Sequence, residues 1–186
     1  MAENNGKKFE KNVKASCDKQ GVLFERYKDS NKFGFGVDTT TRFTSENPCD
    51  GHIFYKGNLI YVELKTAKTG SMSFNQPPLE QIKGSTKPSI KTNQLKALME
   101  RKDFKDVHGG LLVDFADRHT KTQLVKGGTF YIDVDTFINW AVGSGKKSMN
   151  VDDAKLIGLK VRSEKLKTNY RYDMIDLLER INDGKK

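Results

Sequence analysis

Asp50, Glu63 and Lys65 are the residues of this 186-residue chain whose types and spacing could do chemistry together. They bracket the run Asp50-Gly-His-Ile-Phe-Tyr-Lys-Gly-Asn-Leu-Ile-Tyr-Val-Glu63-Leu64-Lys65. Two carboxylates are hard oxygen ligands and suit Mg²⁺, with Mn²⁺ able to substitute. A cation held between them would polarise a phosphoryl oxygen and acidify a bound water. An ammonium beside them can position or deprotonate that water, or stabilise charge growing on the phosphorus oxygens. The sequence leaves both roles of Lys65 open. The reaction such a group fits is phosphodiester hydrolysis.

An isolated Glu-x-Lys is more often a solvated pair on a surface hairpin, so the elements that position these residues matter. His52 to Tyr55 and Leu59 to Leu64 read as two strands, with Lys56-Gly57-Asn58 as a tight turn between them. Side chains alternate along a strand, so Glu63 and Lys65 share one face and Leu64 takes the other. A hairpin folded at this turn brings Asp50, ahead of its first strand, beside Glu63, near the end of its second. The apolar Val62 and Leu64 then face a core while their neighbours face the site.

Around the hairpin, residues 6–20 read as a helix with Phe9, Val13 and Cys17 on one face, stopped at Gly21. Val22-Leu23-Phe24 begins a strand. Residues 66–91 read as loop, with Pro77, Pro78 and Pro88 as breakers. Thr92 or Asn93 caps a helix running to about Lys102. Strands follow over 110–116 and 129–134, the first apolar enough to be central. Asp135 caps a helix ending near Gly143, before a glycine-lysine loop over 143–147. Weaker helices follow over 152–157 and 172–181. The expected fold is α/β: a mixed central sheet flanked by helices, in one domain spanning residues 1–186. Phe137, Ile138 and Trp140 are read as core in preference to subunit contact.

The chain carries a formal net charge of +9, with 35% hydrophobic and 31% charged residues. Such an excess of Lys and Arg favours a polyanionic partner. The charge is concentrated: between Leu64 and Lys102, eight Lys and Arg face only Glu80 and Glu100. This basic stretch directly follows the two carboxylates, as expected where a phosphate must approach a metal. Residues 27–47 interleave Phe33, Phe35 and Phe43 with Lys28, Lys32 and Arg42, either as a DNA-stacking loop or as a cover for the core. No apolar run is long enough to span a membrane, and the polar start lacks a signal-peptide core, so a cytoplasmic location is expected. Cys17 and Cys49 are expected to be free thiols, and no Cys/His spacing fits zinc.

The arrangement Asp50…Glu63-Leu64-Lys65 resembles the D…(D/E)-x-K signature of the PD-(D/E)xK nucleases. Within that group the chain is similar to RecU-type Holliday junction resolvases of Gram-positive bacteria and their phages. The likeness extends from CDGHIFYKGNLIYVELKTAKTGSMSF through Ile90-Lys91-Thr92-Asn93-Gln94-Leu95 to GGLLVDFADR, TFYIDVDTFINW and SMNVDDA. It implies a restriction-endonuclease-like core and a Mg²⁺-dependent endonuclease that acts in recombination and repair. Asp50 and Glu63 would be metal ligands, with the Leu64 carbonyl a third, and Lys65 the catalytic lysine. Gln94 would orient groups in the site from its helix, and Glu10 would stand near the metal. Lys7, Lys32, Arg42, Lys68 and Lys91, with Phe33 and Phe35, would meet DNA. The family also implies a homodimer that nicks a four-way junction in pairs. The segment over 27–47, where the family carries a protruding stalk, is shorter and richer in Gly and Thr here. A nuclease acting on ordinary duplex or on ends, and a non-catalytic DNA-binding module, are the alternatives.

Overall fold

The computed structural model describes residues 5–27, 47–82, 87–120 and 122–184. In chain order the elements are α1 (Asn5–Lys19), β1 (Leu23–Arg26), β2 (Gly51–Tyr55), β3 (Asn58–Ala67), β4 (Ser71–Ser73), α2 (Thr92–Lys102) and β5 (Val107–Phe115). They continue as β6 (Arg118–His119), β7 (Leu124–Val125), β8 (Gly128–Asp133), α3 (Val134–Ser144), β9 (Ser148–Asn150) and α4 (Val151–Ile157). β10 (Leu159–Val161), β11 (Ser163–Lys165), β12 (Tyr170–Tyr172) and α5 (Met174–Asn182) complete the chain.

Six strands form one sheet in the order β1-β2-β3-β5-β8-β10. Its β3–β5 pair is parallel and the other pairs are antiparallel, so the sheet is mixed as expected. The parallel pair sits at the centre, where strands buried on both faces need apolar residues at nearly every position. Alternation along β3 sorts its side chains. Ile60, Val62 and Leu64 join α1 and α5 in one core, through Phe9, Val13, Leu177 and Leu178. Ala67 faces the other side with Leu111 and Val113 of β5, where Leu95 and Leu98 of α2 and Phe137 of α3 complete a second core. The result is a sheet with helices on both faces.

The β2–β3 hairpin turns on Lys56 (φ 46°) and Gly57 (φ 84°), with Tyr55 paired to Asn58. Two consecutive positive φ values make the two-residue turn whose twist matches the flanking strands. Gly109 permits a different close approach: a Cβ there would lie 2.6 Å from the Leu98 carbonyl of α2. The missing side chain lets α2 seat directly on β5.

Several boundaries differ from the sequence reading. β3 continues past Lys65 to Ala67, because its parallel partner β5 extends the ladder that far. The segment over 66–91 is not all loop: β4 pairs with β9. Asp133, not Asp135, caps α3, its Oδ1 accepting from the N–H groups of Asp135 and Thr136. Lys91 occupies the N-cap of α2, ahead of Thr92. Thr92 is instead buried, its hydroxyl bonded to the carbonyls of Pro78 and Glu80. The short strands β10, β11 and β12 were not anticipated, their segments being too brief and polar for a period-two pattern to register. Phe137 and Ile138 are buried in the core, and Trp140 packs partly against it.

Candidate metal and phosphodiester site

Asp50 stands one residue before β2, opposite the point where β3 outruns its partner. Its Oδ2 accepts the backbone N–H of Leu64 at 2.8 Å. Its own carbonyl accepts from Tyr27 N at 2.9 Å, which pins its backbone to the end of β1. The N–H and C=O of one strand residue lie along the same strand edge, so the Leu64 carbonyl also faces the gap left by β2. The hairpin thus brings Asp50 and Glu63 together across thirteen positions.

Glu63 is almost fully buried, at 1% exposure. Its Oε1 accepts from Lys65 Nζ at 2.7 Å and from Gln94 Nε2. Gln94 is itself held, its Oε1 accepting the Lys91 N–H at 3.2 Å. The other Glu63 oxygen, Oε2, is buried with no partner among the described residues. Burial pushes the Glu63 pKa up to about 7, the Lys65 charge opposes that rise, and the nearby Asp50 carboxylate adds to it. Two carboxyls this close, one of them buried, call for a shared proton or a bound cation.

The donor set fits a hard divalent cation: two carboxylates, one with an orphaned buried oxygen, and a free carbonyl edge. Asp50, Glu63 and Leu64 are the residues that would hold it. Among the described residues no group of three or more His, Cys, Asp or Glu is placed to hold a metal. Cys49, next to Asp50, donates its thiol to Gly51 O at 3.1 Å, and burial pushes its pKa up to about 12. Without a metal it is therefore a neutral thiol.

Glu10 belongs to α1, which packs on the sheet face opposite Glu63, and pairs with Arg26 Nε at 2.9 Å; Arg26 is the Cα partner of Gly51, the residue after Asp50. Lys7 is exposed on the same helix, while Lys68 and Lys91 are exposed past the end of β3 and at the start of α2. Lys32, Phe33, Phe35 and Arg42, and with them the expected stalk, lie outside the described residues.

The sequence reading missed a neighbouring cluster. His52 and Tyr61 are Cα partners on the hairpin, with ring centroids 6.0 Å apart. Tyr27 Oη lies 3.0 Å from His52 Nδ1, and the Arg101 guanidinium sits over the Tyr61 ring at 5.5 Å. Two periodicities could have found it. His52 and Tyr61 are each two positions along a strand from Asp50 and Glu63, and Arg101 is seven along α2 from Gln94.

No known family model matches the chain. The SPbeta prophage-derived uncharacterized protein YotM of Bacillus subtilis (strain 168) is 33% identical over 184 residues, covering 92% of this chain and 83% of its own length. Among solved structures, the chain is similar to Hjc of Archaeoglobus fulgidus, a Holliday junction resolvase from an archaeal hyperthermophile. That likeness has a TM-score of 0.47 and 13% identity, over 83% of this chain and 95% of Hjc. At that level it carries no argument about function. No helix among the described residues is long and apolar enough to cross a membrane.

Proposed function

We propose, for a chain that belongs to the family of the prophage-derived protein YotM, a metal-dependent deoxyribonuclease activity centred on Asp50, Glu63 and Lys65. The observation that carries this reading is the buried, unpartnered Oε2 of Glu63 beside Asp50. A buried carboxylate oxygen left unpartnered beside a second, half-buried carboxylate is costly to a fold unless binding completes it. Lys65 and Gln94 on the same side, and a net charge of +9, supply what a phosphodiester needs beside that cation.

A bound Mg²⁺ or Mn²⁺ supplies Lewis acidity toward a phosphoryl oxygen and acidifies water. Asp50 and Glu63 are the carboxylates that would hold it, fixed by Leu64 N on one side and by Gln94 Nε2 on the other. Lys65 Nζ, one strand repeat from Glu63, stands where it can hold the attacking water or neutralise charge on the phosphorus. Hydrolysis forms a bond from water oxygen to phosphorus and breaks one P–O ester bond, with the proton passing to the leaving oxygen. Gln94 orients the Glu63 carboxylate and transfers no proton.

The finer reading is a homodimeric endonuclease that resolves four-way junctions. It is supported by the sequence resemblance to RecU-type resolvases and by the prophage origin of the YotM relative. The test is cleavage of a four-way junction against a linear duplex of matched sequence, in Mg²⁺ or Mn²⁺. Wild type should cut the junction in preference. Asp50→Asn should lower the rate ~100-fold or more, the loss expected when several kcal/mol of charge stabilisation goes. Activity that survives Asp50→Asn would refute the assigned centre, and equal cutting of both substrates would refute junction selectivity alone.

A further inference from the structure

A second basic surface lies behind the catalytic hairpin. An open basin of about 1090 Å³ forms on the α1 face of the sheet, between α1, the start of β8 and the β10–β12 segment. That exceeds the ~300–1,000 Å³ of most small-molecule sites. Six cations line it: Lys8, Lys126, Lys160, Arg162, Lys165 and Arg180. Two of these are already engaged, Arg162 and Arg180 pairing with Asp176 at 3.1 and 3.5 Å. Among the described residues Lys8, Lys126, Lys160 and Lys165 have no carboxylate partner within ion-pair distance.

Two carboxyls, Asp114 and Asp117, also line the basin, against its six cations. Asp117 Oδ1 accepts the Gly127 N–H at 2.7 Å, and Asp114 accepts the Thr129 hydroxyl at 2.7 Å. Burial raises the Asp114 pKa, and the Thr129 hydrogen bond opposes that rise. An aromatic element stands at the rim: Tyr170 is 38% exposed and stacks on Tyr172, with centroids 6.4 Å apart and rings at 17°. Unpaired lysines around a groove with an exposed aromatic are the pattern that binds nucleic-acid strands.

The basin shares one end of the sheet with the catalytic residues. Asp114 is the Cα partner of Thr66, the residue after Lys65. Alternation along β3 and β5 sends Lys65 and Asp114 to opposite faces, so the basin is separate from the centre but next to it around the sheet end.

We propose that this basin is a second DNA-contact surface, taking the phosphodiester backbone beyond the strand being cut. The proposal rests on the nuclease reading. Its probe is a labelled four-way junction and a single-stranded oligonucleotide, bound in EDTA so that nothing is cleaved. Lys126→Ala, Lys160→Ala and Lys165→Ala are combined in one variant. Three lost phosphate contacts flatten the salt dependence by about 2.7 in log–log slope. Between 50 and 200 mM salt, wild-type affinity for the junction should therefore fall roughly 40-fold more than the variant's. Tyr170→Ala should weaken the single strand roughly 5- to 100-fold, the loss of one stacked base. Because the three lysines are exposed, the unfolding midpoint of the triple variant should not move, and its rate at saturating DNA with Mg²⁺ should equal that of wild type.

An unchanged salt slope overturns the proposal while leaving the nuclease reading intact. An undiminished affinity of Tyr170→Ala for the single strand likewise overturns it, since bare charge would suit any polyanion. A flattened slope in a protein that cuts no DNA upholds the binding surface and removes the nuclease. A wild type that binds no DNA overturns both.

Discussion

Glu63→Gln should stabilise the metal-free protein at alkaline pH, and the size of the gain follows from the burial of this one carboxyl. Burial, with the Asp50 charge added and the Lys65 charge opposing, holds its folded pKa at about 7 against an ordinary 4.5. The folded state therefore binds this proton more tightly than the unfolded state. Stability is fully present below pH 4.5 and is lost as pH rises toward 7. The gap of 7 − 4.5 = 2.5 units corresponds to ~3 kcal/mol at about 1.36 kcal/mol per unit. Glutamine resembles the protonated acid in shape and never ionises. In EDTA, wild type and Glu63→Gln should differ by less than ~1 kcal/mol at pH 5, and the variant should be the more stable by ~3 kcal/mol at pH 8. For a chain of this length that is a rise of roughly 6–12 °C in unfolding midpoint. Thermal or urea unfolding followed by circular dichroism reads both. Adding Mg²⁺ at pH 8 should then stabilise wild type by ~2.7 kcal/mol at a hundredfold excess over Kd, and leave the variant unmoved. The same difference between the two proteins at pH 5 and pH 8 would refute the reasoning, since an ordinary packing change carries no proton linkage.

Three further outcomes test how the site is held. Gln94→Ala removes a donor from Glu63 and the acceptor of the Lys91 N–H, so stability should drop by ~1 kcal/mol and Mg²⁺-supported cleavage by ~10- to 100-fold, read by urea unfolding and single-turnover rates. Glu10→Gln weakens its ion pair with Arg26, the residue opposite Gly51, so it should reduce cleavage less than Gln94→Ala does; a larger loss in the same assay would give Glu10 a direct role at the metal. Gly109→Ala places a Cβ against the Leu98 carbonyl, so α2 must shift; a destabilisation of ~1–3 kcal/mol by unfolding, with raised metal demand in a Mg²⁺ titration of cleavage, is expected.

How much of this was legible in the sequence varies with the range of the interaction. The hairpin was: strong alternation on both strands and a glycine turn set its register, and register alone brings Asp50 to Glu63. The mixed sheet with flanking helices was legible for the same reason, since β3, β5 and β8 are apolar enough to declare themselves. The caps were misjudged by one or two residues: Asp133 and Asp135 offer equal local chemistry, and Thr92, the better cap by residue type, is not the one used. Tertiary contacts then decide between them: Lys102 of α2 draws on both Asp133 and Asp135, and Thr92 is taken by the carbonyls of the preceding loop. The basin was illegible for a stronger reason. Its lysines come from Lys8, Lys126, Lys160 and Lys165, far apart in the chain, and it exists only because α1, β8 and the β10–β12 segment converge on one face. The run of positive charge that the sequence does display, from Lys65 to Lys102, lies instead along the hairpin end and α2, on the side of the proposed metal site. Linear charge density thus located one candidate DNA surface, and only the folded sheet reveals the other behind it.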